Sequence, residues 1–207
     1  MKTDLDISKE QKIVLTARQL FLNNGYEKTT MEEIARSLSI GKGTLYASFP
    51  NKEEILLAIC NNHINYLRDI LQQKMEEAKS DYLQSLIDML HIYINSVYQE
   101  VQSLRTPEAL IYADQKVQAR FADRFIEIKR IFQGMLQKAV DSGELSSAAN
   151  AVDVCEVILA TLTSFLPPYE RDFGELHPGR PPKDIFERES KILTDLLLQG
   201  LRAYGRS

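Results

Sequence analysis

The stretch that decides the fold runs over residues 30–49 and reads TMEEIARSLSIGKGTLYASF. Thr30 followed by Glu33 is the pattern of a capping box, in which each side chain bonds the other's backbone N–H at a helix N-terminus. Ser39-Ile-Gly41 interrupts this helix, and residues 42–49 have room for two further turns. Two short helices joined by a three-residue turn predict a helix-turn-helix.

Apolar residues recur at helical spacing through the rest of the chain, and strand-like alternation is nearly absent. The pattern predicts an all-α protein of about nine helices, three short ones in residues 1–52 and six longer ones in residues 53–207. Besides 30–38 and 42–49, the predicted helices cover residues 8–24, 51–78, 81–101, 106–114, 116–141, 149–166 and 184–203. The Pro-rich segment 167–183 is the one long irregular stretch.

Composition is that of an ordinary globular protein, since 44% of the 207 residues are hydrophobic and 26% are charged. The N-terminus has no apolar run of the kind that directs secretion. The longest unbroken apolar run, Ile55–Cys60, is far shorter than a membrane span requires. Cys60 and Cys155 both lie in apolar helical patterns, which predicts two buried, reduced thiols. We therefore expect a cytoplasmic protein with no membrane segment.

Charge is distributed unevenly although the whole chain carries a net charge of only −4. Residues 1–52 hold eight Lys and Arg against six Asp and Glu, whereas residues 53–207 hold 17 against 23. Between Arg36 and Lys52 there are three basic residues and no acidic one. The exposed positions of helix 42–49 are basic, small or hydroxylated, and such side chains can approach phosphates and base edges in a DNA major groove.

The residues alone leave a second interpretation open, in which the two short helices are surface helices of a protein-binding adaptor. An adaptor face would usually carry more large exposed apolar residues than helix 42–49 does. An all-α enzyme has less support, because the three histidines are far apart and no zinc, nucleophile-elbow or metalloprotease spacing occurs. We predict no catalytic residue, no metal and no cofactor.

The segments 17–35, ARQLFLNNGYEKTTMEEIA, and 41–54, GKGTLYASFPNKEE, carry a family resemblance. In order, residue type and spacing they resemble the N-terminal domain of TetR-family repressors over about 45 residues. The rest of the chain resembles that family only in length, in helix number and in the turn Asp141-Ser-Gly-Glu-Leu145. The resemblance implies a DNA-binding domain at residues 1–52 and a ligand-binding and dimerisation domain at residues 53–207.

The resemblance further implies a homodimer that binds a two-fold, palindromic DNA operator and releases it when a small molecule binds the C-terminal domain. Carried over by position, the residues facing DNA would be Thr29, Thr30, Lys42, Gly43, Thr44, Tyr46, Ala47, Ser48 and Lys52. Ser39 departs from the family pattern, which usually has Gly in this turn, so we expect a positive φ at Ser39. For Tyr46, local packing beneath the domain is the alternative to a phosphate contact.

Aromatic, sulfur and histidine side chains recur on the helices between residues 53 and 141. As a set they suit an apolar pocket with a few polar handles and therefore a lipophilic effector, although any single one of them is more often plain core. The candidate pocket residues are His63, Tyr66, Met89, Tyr93, Tyr112, Phe121, Phe125 and Phe132.

The last two predicted helices carry broad apolar stripes that predict a dimer interface. The candidate interface residues are Ile158, Leu162, Phe165, Ile192, Leu193, Leu196 and Leu197. The alternative is that both stripes are buried within one subunit. Taken together, the sequence predicts a ligand-responsive, dimeric transcriptional regulator that acts as a repressor, with the helical adaptor as the remaining alternative.

Overall fold

The structure is a computed structural model that describes residues 7–104, 115–146, 150–162, 165–166 and 182–204. This part of the chain contains eight α-helices and no β-strand, so the prediction of an all-α fold is confirmed. None of these helices is both long and apolar enough to cross a membrane. The helices are α1 (Lys9–Asn24), α2 (Met31–Ser37), α3 (Lys42–Ser48), α4 (Lys52–Glu77), α5 (Tyr82–Leu104), α6 (Gln115–Asp141), α7 (Ala151–Leu162) and α8 (Lys183–Tyr204).

The predicted helix boundaries agree with the observed ones to within a few residues. The predicted capping box of α2 is present, with Glu33 N donating to Thr30 Oγ1 at 3.2 Å and Thr30 N donating to Glu33 Oε2 at 2.9 Å. The predicted helix over 106–114 lies outside the described residues, as does segment 167–183 except for its last two residues.

The turn between α2 and α3 contains the strained residue that the sequence predicted. Ser39 has a φ of +55°, the left-handed conformation that L-residues with a side chain rarely adopt. Ser39 N donates to Arg36 O and Ile40 N donates to Ala35 O, both at 3.0 Å, so the last carbonyl groups of α2 are satisfied. This bond pattern is a Schellman motif, which requires the left-handed residue and thereby fixes the direction in which α3 departs.

Helices α1–α3 and the first turns of α4 share one hydrophobic core, and we call this unit the head. The core closes around fully buried side chains from all four helices, among them Ile13, Phe21, Ile34, Leu45 and Ile55. It extends along α4 as far as Cys60, beyond the predicted domain boundary at residue 52.

The rest of α4 and helices α5–α8 share a second core, and we call this unit the body. Helix α5 packs against α4, α6 and α8, while α7 packs on α6. Ile64, near the middle of α4, contacts both cores. Both cysteines are buried, as predicted, and burial raises the pKa of Cys60 to about 12 and that of Cys155 to about 11.

The loop between α1 and α2 is held by one ammonium group. Lys52 Nζ donates to the carbonyl oxygens of Tyr26 at 2.7 Å, Thr29 at 2.9 Å and Glu27 at 3.4 Å. The same ammonium lies 4.2 Å from the centre of the Tyr26 ring, within the range of a cation–π interaction. Lys52 therefore joins the start of α4 to the loop that positions α2.

Helices α4 and α6 approach each other closely where Gly134 faces Met75. A Cβ atom added at Gly134 would lie 2.8 Å from Met75 Sδ, nearer than real Cβ contacts come. The space beside Gly134 is filled by the flexible end of the Met75 side chain, which would have to move if position 134 carried a Cβ atom.

Replacing Ser39 with Gly should raise the free energy of unfolding by about 1 kcal/mol, because glycine adopts a positive φ without the steric cost. The measurement is urea unfolding followed by circular dichroism. Ser37→Gly is the matched control, since this exposed residue ends α2 in helical conformation and glycine there should destabilise the protein by about 0.5 kcal/mol. Equal effects of the two substitutions would contradict the strain assigned to Ser39.

Replacing Lys52 with Met keeps an unbranched side chain but removes the ammonium, and should lower the free energy of unfolding by about 2 kcal/mol. Lys28 is exposed in the loop that Lys52 contacts, and Lys28→Met should change the free energy of unfolding by less than about 0.5 kcal/mol. The comparison uses urea unfolding at one pH and ionic strength. A Lys52→Met variant as stable as the parent would show that the three carbonyl contacts contribute nothing to the fold.

Candidate nucleic-acid interface

Helix α3 is anchored by a single side chain and exposes nearly everything else. Leu45 is fully buried in the head core, and Phe49, which follows the helix, is half-buried against the same core. The outer face carries exposed residues that are all small, hydroxylated or basic apart from one tyrosine, and they are Lys42, Gly43, Thr44, Tyr46 and Ala47. Ser48, also predicted to face DNA, is half-buried at the end of the helix.

Lys42, at the start of α3, has an acidic partner on α2. Its Nζ donates to Glu32 Oε1 at 2.8 Å, and this hydrogen bond is the main reason why the pKa of Glu32 lies below its usual value. Both side chains are exposed, so the pair contributes little stability and a phosphate could displace the carboxylate. Glu32 therefore keeps the Lys42 ammonium beside the outer face of α3.

Tyr46 and Gly43 decide how closely another molecule can approach this face. Tyr46 is 44% exposed, so the structure places it at the surface and not beneath the domain. A Cβ atom at Gly43 would meet nothing within 4 Å, which leaves the backbone of α3 open on that side.

The two threonines predicted to lie near phosphate differ in exposure and in the hydrogen bonds of their hydroxyl groups. Thr29 is only 1% exposed and its hydroxyl donates to Gly25 O at 2.9 Å, so this side chain cannot reach a DNA surface. That part of the prediction is corrected, because the hydroxyl caps the end of α1 instead. Thr30 is exposed, and its hydroxyl accepts the backbone N–H of Glu33 as the N-cap of α2. The phosphate contact predicted for Lys52 stays a prediction, although its ammonium already binds three carbonyl groups of the head.

The candidate pocket residues do not come together in one cavity. Met89, Tyr93 and Phe132 are buried in the body core, where Tyr93 and Phe132 pack edge to face. Phe121 is buried in the head core, and Phe125 is exposed on α6. These aromatic and sulfur side chains serve mainly as core, which was the alternative interpretation, and Tyr112 lies outside the described residues.

His63 and Tyr66 do line a cavity, at the junction of the head and the body. Its volume is about 560 Å³, and its walls come from α1, α4 and α5. It also contains an ion pair that the sequence analysis missed, Arg18 Nη2 to Glu100 Oε2 at 2.7 Å. The available signal was Glu100 itself, an acidic residue on the apolar side of α5, seven positions after the buried Tyr93.

The candidate dimer residues divide into two groups. Ile158, Leu162 and Phe165 are at most 6% exposed and belong to the core of their own subunit. Those three predictions are corrected, because α7 turns its Ile158 and Leu162 face toward the rest of the body. Leu193 and Leu197 are half-buried against the same core, whereas Ile192 and Leu196 are 53% and 60% exposed on α8.

Other exposed apolar side chains lie on α7, where Val152 and Val157 are 49% and 66% exposed. Glu156, between them in sequence, forms an ion pair with Lys129 of α6. Within the described ranges no three His, Cys, Asp or Glu side chains are grouped so that they could hold a metal ion.

Comparison with known proteins shows what the head and the whole chain are similar to. Residues 13–59, which cover α1–α3 and the first turns of α4, match the sequence model described as bacterial regulatory proteins of the tetR family. The chain is 26% identical over 201 residues to the HTH-type transcriptional repressor BepR of Brucella suis biovar 1, covering 93% of this chain and 91% of that protein.

Two further similarities cover about half of the chain and nearly all of it. Over 106 residues the chain is 34% identical to the biofilm operon icaADBC HTH-type negative transcriptional regulator IcaR of Staphylococcus epidermidis, covering 49% of this chain and 56% of that protein. A crystal structure of a TetR/AcrR-family regulator from Thermobifida fusca superposes with a TM-score of 0.69 at 20% identity, covering 93% and 98% of the two chains. The resemblance seen in the sequence is confirmed: residues 13–59 match the tetR family of bacterial regulatory proteins, and the chain as a whole is similar to an HTH-type transcriptional repressor.

Proposed function

We propose that the protein is a ligand-responsive transcriptional repressor that binds a palindromic DNA operator in the cytoplasm as a homodimer. The observation that carries the proposal is the outer face of α3. This face is exposed and basic at Lys42, and its other side chains are small or hydroxylated. A recognition helix must enter a major groove about 12 Å wide, and small or hydroxylated side chains allow that approach.

Charge supports DNA as the partner of this face. Arg36 and Lys42 are both exposed, and no acidic residue occurs between them and Lys52. The body, by contrast, belongs to the strongly acidic part of the chain, which disfavours a second DNA surface there. The adaptor alternative is disfavoured because Tyr46 is the one large exposed apolar residue on α3.

The repressor assignment rests on relatives, since BepR is described as a repressor and IcaR as a negative regulator. Release by an effector follows from the way head and body are joined. A ligand bound near the joint can change DNA affinity only if it binds one arrangement of head and body better than another. Helix α4 contributes to both cores, and α3 packs in the head core. A change in the arrangement of head and body would therefore also change the position of α3.

The decisive experiment is a genomic DNA pull-down with the purified full chain at moderate salt, followed by sequencing of the bound fragments. We expect a palindromic site whose half-sites lie about one helical turn apart. Retention of all sequences alike, with no enriched motif, would favour the protein-binding adaptor instead.

On that operator, Lys42→Ala should weaken binding and flatten its salt dependence. Each lost phosphate contact lowers the slope of log K against log salt by about 0.9, so a dimer should lose roughly two units. Lys28→Ala, an exposed lysine of the head away from α3, is the matched control and should leave the slope nearly unchanged. A Lys42→Ala slope equal to that of the parent would contradict a phosphate contact at Lys42.

We further propose that the exposed apolar side chains of α7 and α8, Val152, Val157, Ile192 and Leu196, contact a second copy of the chain. Each is about half exposed or more, and the four lie on the last two helices of the described chain. The four replace Ile158, Leu162 and Phe165 as the proposed contact residues.

Leu196→Glu should weaken the dimer by roughly thirtyfold or more, because a buried interface position would then hold an unpaired charge. Sedimentation velocity over a micromolar concentration series measures the effect. Ile126→Glu is the matched control, since Ile126 is 45% exposed on α6 and is not part of the proposed surface. A parent chain that sediments as a monomer would overturn the proposal outright.

A further inference from the structure

The cavity at the junction of head and body differs from the pocket expected inside the C-terminal domain, because one of its walls belongs to the DNA-binding head. Val14 and Arg18 of α1 face His63 of α4 and Ser96 and Glu100 of α5 across it. At about 560 Å³ it has the size of a small-molecule site.

Glu100 is the buried polar group in this cavity that can accept a hydrogen bond from a ligand. Its side chain is only 9% exposed, and Arg18 binds just one of its two oxygens, Oε2. The other oxygen, Oε1, is buried without any hydrogen-bond partner in the described part of the chain. A buried carboxylate oxygen without a donor is costly, so a donor supplied from outside would be bound favourably.

The two serine hydroxyls that line the cavity are already used elsewhere. The Ser103 hydroxyl donates to the backbone carbonyl of Glu100 at 2.9 Å, and the Ser96 hydroxyl bonds His63 Nε2 at 3.1 Å. His63 Nδ1 lies 3.7 Å from Glu100 Oε2, beyond hydrogen-bond distance. Burial is the main cause of the lowered pKa of His63, and it favours the neutral imidazole.

The charge in the cavity is balanced, because the Arg18 guanidinium neutralises the Glu100 carboxylate. A cationic or an anionic ligand would therefore lose its hydration without gaining an unpaired counter-charge, because Glu100 and Arg18 already pair with each other. A neutral donor avoids this cost. The remaining walls include the apolar side chains of Val14, Leu15 and Ile59, which suit a hydrocarbon body.

We infer that this cavity binds a neutral small molecule that has an apolar body and one hydroxyl or amide donor, with the donor directed at Glu100 Oε1. The bound molecule touches α1 of the head, α5 of the body, and α4, which belongs to both. Its role as an effector rests on the proposed function, whereas its binding does not.

The experiment uses the full chain and four probes with the same phenyl group: 2-phenylethanol, ethylbenzene, 2-phenylethylammonium and phenylacetate. Methyl NMR titrations follow Val14 and Ile59, which line the cavity, with the remote buried Leu71 as internal reference. We expect 2-phenylethanol to shift the Val14 and Ile59 signals and to bind about tenfold more tightly than ethylbenzene, since a hydrogen bond to a charged acceptor has that effect. The two charged probes should bind more weakly than the alcohol.

Two variants locate the site and the acceptor. Asn62→Trp places a large ring at an exposed position lining the cavity and should abolish the 2-phenylethanol shifts. Gln73→Trp, at an exposed position further along α4, is the matched control and should not. In Glu100→Gln the carbonyl can stay on Arg18 while the amide NH₂ takes the place of Oε1, so preference should change from 2-phenylethanol to the hydrogen-bond acceptor acetophenone.

Equal affinity for ethylbenzene and 2-phenylethanol would overturn the role of Glu100, and shifts that survive Asn62→Trp would overturn the location. Absence of shifts with every probe would overturn the site itself. None of these results depends on DNA binding. A failed pull-down combined with selective binding of 2-phenylethanol would reject the proposed repressor and keep the site.

Discussion

Helix α4 is the element on which the rest of the structure depends, because it is a single continuous helix that belongs to two hydrophobic cores. Ile55 and Ile59 are buried in the head, Leu67 and Leu71 are buried in the body, and Ile64 contacts both. Neither core can close without this helix. Head and body are therefore joined by a continuous helix and not by a flexible linker, and we expect them to unfold as one cooperative unit.

Two ion pairs brace the joint beside α4, and they differ in what their rupture would cost. Arg120 of α6 binds both carboxylate oxygens of Glu54, at 2.7 and 2.8 Å, on an exposed surface where solvent can replace either partner. In the Arg18–Glu100 pair the carboxylate is buried although the guanidinium is partly exposed, so separating the pair would leave Glu100 buried and unpaired. Of these two pairs, the second therefore opposes a separation of head and body more strongly.

The fold was predictable wherever the determinants are local in sequence. Thr30 and Glu33 specify the start of α2 within four residues, and the positive φ of Ser39 was expected from the family resemblance, which has Gly in this turn. The pocket and the dimer surface were less predictable, because apolar spacing shows that Phe132 is buried but not against which partner. The cavity depended on the pairing of Arg18 with Glu100, 82 residues apart, and no local pattern encodes that contact.

The close approach at Gly134 has a consequence for how this sequence can change. Any side chain at position 134 must occupy space that Met75 Sδ now fills, 2.8 Å from where its Cβ would lie. An unbranched thioether can move aside, whereas a stiff β-branched residue at position 75 could not. Among relatives that keep this crossing of α4 and α6, positions 75 and 134 should therefore covary, with bulk at one matched by its absence at the other.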